Sequence, residues 1–167
     1  MLVLTEPVPN LAMSVEKLLC DVGGFHNIQA YATSLHPDTV DARFCYKLTT
    51  YEHIRSLVAT RQALSTNPLA FSPTLGVTAV DSLALRDACT MSVLFVNTGV
   101  AYMLQKLSKR DTVVCFLKPD WLTDFPYSNQ DLAMEHTSDI VMTYSRNSLP
   151  ETIAKKIKEQ YYNQIMK

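Results

Sequence analysis

The side chains best suited to chemistry in this sequence are a few loop residues, four histidines and four cysteines. Two loops stand out: Lys118-Pro119-Asp120-Trp121-Leu122-Thr123-Asp124 and Ser145-Arg146-Asn147-Ser148. Each follows an apolar run with the character of a strand, and ligands of α/β sheets gather where strands release into loops. Arg146, just ahead of an expected helix N-terminus, suits an anion, and Lys118 is the second cation of that candidate site. Asp120 and Asp124 stand four apart around the tryptophan, a spacing open to acid/base work if both line a cleft. Trp121 also reads as an anchor for a protein partner, because an indole removes much area from water at little entropic cost. Tyr127, Tyr161 and Tyr162 are expected to join it as partner contacts.

The remaining reactive types offer less. No two of His26, His36, His53 and His136 lie three to five residues apart on an expected helix, so no metal site is expected. Cys20, Cys45, Cys89 and Cys115 contain no C-x-x-C pair, and the apolar start lacks the flank and length of a secretory signal. They are expected to be reduced thiols in the cytoplasm. A cysteine nucleophile needs a neighbouring imidazole, and Cys45 with His53 is the one pairing the order suggests; an inert, partly exposed thiol is the plainer reading. Cys89 and Cys115 lie in apolar runs and read as core residues. With only four glycines in the chain, neither a Walker loop nor a dinucleotide fingerprint is present, and no catalytic residue or cofactor is expected.

These residues need elements to hold them. After an opening apolar strand, Asn10 is expected to cap a helix whose stripe is Leu11, Val15, Leu18, Leu19 and Val22, ending at Gly23. Runs 27–34 and 40–48 flank a Leu-His-Pro-Asp turn, and alternation of Val40, Ala42, Phe44, Tyr46 and Leu48 predicts an antiparallel hairpin with one wet face. Thr49 and Glu52 form a capping box for a helix from about Thr50 to Leu64, and the stretch from Leu64 to Thr74 reads as a long loop. A short strand is expected near Leu75 to Ala79.

The stretch from Ala88 to Gln105 carries no charge, but its polar and weakly apolar residues make it a buried core helix rather than a membrane span. One long central helix is therefore predicted from Ser82 to Lys109. Unbroken it would reach roughly 40 Å at 1.5 Å per residue, so a bend or break belongs near Asn97 to Gly99. Thr112 to Leu117 reads as a strand covered on both faces, and Ile140 to Tyr144 as another. Ser148 and Glu151 form a capping box for a final helix striped by Leu149, Ile153, Ile157, Tyr161 and Ile165.

The fold class expected is α+β: residues 1–167 as one domain, a mixed sheet with a hairpin, the long buried helix and packed flanking helices. Fifteen basic against sixteen acidic side chains leave a charge of -1, so no field draws the chain to nucleic acid or a membrane. The function expected is a non-enzymatic assembly, structural or regulatory subunit of a larger cellular or viral complex, with a protein partner or a second copy as its contact. The alternative is a small enzyme or binding protein for a phosphorylated or carboxylated ligand at the strand-end loops.

Overall fold

The computed structural model describes residues 1–8, 10–65, 74–108, 112–122 and 128–167. Its centre is a short apolar strand, β1 (Leu2–Thr5), with every residue buried. The helix α1 (Ala12–Asp21) follows and presses Ala12, Val15 and Leu19 onto the sheet. Two short strands, β2 (His26–Asn27) and β3 (Ala30–Ala32), come next. Then come α2 (Val40–Cys45), β4 (Tyr46–Leu48), α3 (Tyr51–Ala59), β5 (Ala63–Leu64), β6 (Thr78–Asp81) and α4 (Ser82–Arg86). The chain then returns to the centre through β7 (Ser92–Phe95), α5 (Thr98–Leu107), β8 (Val113–Pro119), α6 (Asn129–Thr137), β9 (Ile140–Tyr144) and α7 (Pro150–Ile165).

Two sheets result. The larger runs β2-β7-β1-β8-β9 and is parallel throughout; the smaller runs β4-β3-β6-β5 and is mixed. Parallel strands need helical covers on both faces, which is why β1 and β7 are buried from end to end. Edge strand β9 instead alternates, hiding Ile140, Met142 and Tyr144 while exposing Val141 and Thr143. α1 packs with α7 on one face of this sheet, and α5 packs with α6 beside it. The smaller sheet has its own apolar cluster, in which Ile54 of α3 meets Ala63 and Ala79. Gly76 leads into β6 with φ +64, and a Cβ there would run into the Thr33 hydroxyl, which accepts from the Val77 amide at 3.0 Å.

The chain forms the single domain of mixed helix and sheet expected of it, and within that frame several elements are corrected. The long helix does not exist: α4, β7 and α5 occupy its span, because Ser92–Phe95 pairs with both β1 and β2 while Asn97 starts a new helix. The hairpin does not exist either. Thr39 accepts from the Ala42 amide and starts α2, and β4 then pairs with β3 in parallel. Cys45 thus sits buried on a helix, whereas Cys89, expected in the core, is exposed. Caps shift too: Thr50 rather than Thr49 caps α3, and no side chain caps α7. The expected loop from Leu64 to Thr74 falls largely outside the described residues.

A candidate ligand crevice at the strand ends

All five strands of the large sheet point the same way, so their carboxyl ends form one edge. The helix after β1 lies with α7, whereas the helices after β7 and β8, α5 and α6, pack with each other. The chain therefore leaves in opposite directions around the end of β1, which is where α/β sheets open a crevice.

Glu6, the first residue past β1, occupies that point and is 2% exposed. Its Oε2 accepts from the amides of Asn10 at 2.8 Å, Leu11 at 3.1 Å and Ala12 at 3.1 Å. The hydroxyl of Tyr144, the last residue of β9, donates to Oε1. A helix leaves its first amides without internal partners, and here a side chain from the preceding loop serves them. Leu11 is the N-cap and contributes no side-chain bond; Asn10, expected to cap, does not. Burial raises the Glu6 carboxyl above its ordinary range, while the Tyr144 hydroxyl and the three amides pull it back.

Aromatic contacts continue outward from Tyr144. The Trp121 ring stands edge-on to it with centroids 5.3 Å apart, and the Arg146 guanidinium lies 5.6 Å from the Trp121 centroid. Arg146 is exposed and has no carboxylate partner among the described residues. Ser148, expected to cap α7, instead accepts from the Ser145 amide at 3.0 Å, so the first turn of α7 near Arg146 carries no side-chain cap. On the other side of β1, Asn97 follows β7. Its Oδ1 accepts from the Val100 amide, and its Nδ2 donates to the Thr78 hydroxyl, each at 3.0 Å, tying the crevice edge to the small sheet.

The structure thus brings Arg146 and Trp121 together from two loops. Lys118 goes elsewhere, its ammonium held by Glu135 of α6. Asp120 is exposed, and its amide donates to the Tyr144 carbonyl at 2.9 Å. Tyr127 and Asp124 lie outside the described residues. Tyr161, expected at a partner surface, is fully buried, with its hydroxyl donating to the Thr90 carbonyl. Its position in the stripe with Ile153 and Ile157 turns it inward. Tyr162 is half-buried, with the Lys158 ammonium 5.8 Å from its ring. The Cys45 thiol donates to the Met13 carbonyl at 3.7 Å, and His53 is exposed on α3 against Tyr31, so the pairing of Cys45 with His53 is not formed. Among the described residues no cluster of three or more His, Cys, Asp or Glu side chains is arranged to hold a metal ion.

Sequence reasoning missed Glu6 altogether, and read Tyr144 only as a strand end and Asn97 only as a break in a helix. The available signal was an acidic residue directly after an apolar strand and a few residues ahead of a helix start that lacks its own cap.

The chain resembles the crystal structure of guanylate kinase from Anaplasma phagocytophilum with a TM-score of 0.72 at 15% identity, covering 100% of this chain and 86% of that one. No family model matches the chain, and no curated protein matches it. The likeness extends over the whole chain to the fold of an enzyme, and it overturns the expectation of a non-enzymatic assembly, structural or regulatory subunit. Among the described residues no helix is long and apolar enough to cross a membrane.

Proposed function

We propose that this protein binds a phosphorylated or carboxylated small molecule in the strand-end crevice, with Arg146 as the anion contact and Trp121 as the flat surface beside it. The observation that carries this reading is the Arg146 guanidinium set 5.6 Å from the Trp121 centroid without a carboxylate partner among the described residues. A guanidinium presents a fixed fork of donors to a phosphate or carboxylate, and a cation–π contact with an indole favours keeping that fork beside the ring before the ligand arrives. The uncapped first turn of α7 adds a favourable local dipole. The neighbour in fold is named for guanylate, itself a phosphorylated small molecule, which supports the same ligand class. The four unpaired thiols suit an intracellular setting.

Thermal unfolding in the presence of a panel of nucleoside monophosphates, sugar phosphates and small carboxylates tests the proposal. A true ligand at a hundredfold over its Kd stabilises by about 2.7 kcal/mol. Arg146→Ala should leave the unliganded melting temperature unchanged and abolish the ligand-induced rise. A rise that persists in full in the variant places the ligand elsewhere.

A further inference from the structure

The amides at the start of α1 converge at the strand-end edge in the way an anion site requires, and they are already in use. In folds that cradle phosphate between a strand and a following helix, consecutive N–H groups of a glycine-rich loop converge on the anion. The corresponding stretch here is Glu6-Pro7-Val8-Pro9-Asn10, which has no glycine, and its two prolines cannot donate. The amides that do converge, those of Asn10, Leu11 and Ala12, point at Glu6 Oε2 at 2.8 to 3.1 Å. Tyr144 closes the other carboxyl oxygen from β9, and Glu6 is 2% exposed, so the acceptor is enclosed by the fold rather than laid on its surface.

We infer that Glu6 is a built-in acceptor that closes the α1 amide cradle, so that the ligand is met at Arg146 and the first turn of α7 rather than at α1, and is a single-anion molecule rather than a polyphosphate. This rests on the ligand-binding reading above and adds its selectivity. A polyphosphate needs several converging donors to hold its successive charges. With the α1 amides satisfied by Glu6, the cation left on the Trp121 side among the described residues is Arg146, which has no carboxylate partner there. An incoming phosphate at α1 would have to displace a carboxyl group that is hydrogen-bonded by three amides and a phenol. That displacement costs more than one exposed phosphate contact returns.

The test uses the full chain labelled with nitrogen-15 and titrated with inorganic tripolyphosphate, following the amides of Leu11 and Ala12 and the indole of Trp121. In the wild type the Leu11 and Ala12 signals should stay in place. In Glu6→Ala they should move saturably, because the emptied cradle then accepts the added anion. If Glu6→Ala is unfolded in buffer, recovery of a native spectrum on adding tripolyphosphate is the supporting result. Saturable movement of Leu11 and Ala12 in the wild type overturns the inference, as does a Glu6→Ala chain that neither responds nor recovers. The Trp121 indole reports separately on the Arg146 side, so loss of the ligand-binding reading and loss of this one are distinguishable.

Discussion

Replacing Glu16 by glutamine should remove a loss of stability that the wild-type chain suffers as pH rises. Glu16 lies on the sheet-facing side of α1 and is fully buried, with neither carboxyl oxygen in a hydrogen bond. Burial pushes its pKa up from 4.5 to about 8, and the nearby Cys45 thiol and Phe95 backbone offset this only in part. The folded-state value lies above the unfolded one, so the favourable contribution is complete below pH 4.5 and is lost progressively until about pH 8. Each unit is worth about 1.4 kcal/mol, so from pH 5 to pH 7 the wild type should lose about 3 kcal/mol from this group alone. Urea unfolding of both chains at pH 5, 6 and 7 measures it. The glutamine variant cannot ionise, and subtracting its curve also removes the contribution of Glu6, whose carboxyl shifts in the same direction. Parallel stability curves for the two chains across that range would refute the reasoning.

Two further outcomes follow from the packing. Ile157 of α7 is wholly buried at the middle of its stripe, so Ile157→Ala should cost about 2 to 5 kcal/mol, against under about 0.5 kcal/mol for the exposed Lys156→Ala, read from denaturant midpoints. Thiol labelling of the native chain should modify Cys89 first, because it is exposed and the Ser92 hydroxyl and Met91 backbone lower its pKa. Cys20, raised to about 12 chiefly by burial, should follow slowly, and Cys45 and Cys115 should label only on unfolding. Equal rates at all four thiols would contradict the placement.

How much of this was legible in the sequence depended on whether one local pattern admitted one structure. Ile140–Tyr144 and the middle of the α7 stripe, Ile153, Ile157 and Tyr161, read correctly, since strict alternation and a repeat of four each have a single solution, whereas the stripe's two ends, Leu149 and Ile165, are exposed. The stretch 40–48 admitted two. Its alternation suggested a strand, yet Ala42 and Cys45, three apart, are the buried residues of a short helix, and Val40 is 75% exposed. The uncharged span before Gln105 was ambiguous in the same way, because a fully buried parallel strand has no polar face to reveal its period. The break was visible only as Asn97, which does begin a helix there. In the crevice, Arg146 and Trp121 were both singled out, but their meeting depends on the pairing of β8 with β9 and could not be read from spacing. Glu6 was overlooked because its role is set by a helix start that lies four to six residues ahead of it and by a tyrosine 138 residues away.

The most direct measurement of the central claim uses the sole tryptophan as its own reporter. Trp121 lies between Tyr144 and Arg146, so an anionic ligand seated on the guanidinium should change its fluorescence. Titration with the panel of nucleoside monophosphates, sugar phosphates and carboxylates should give at least one saturable change in the wild type, and that change should vanish in Arg146→Ala. If no member of the panel perturbs Trp121 saturably, or if the change survives the loss of Arg146, the strand-end crevice is not the ligand site and the account fails.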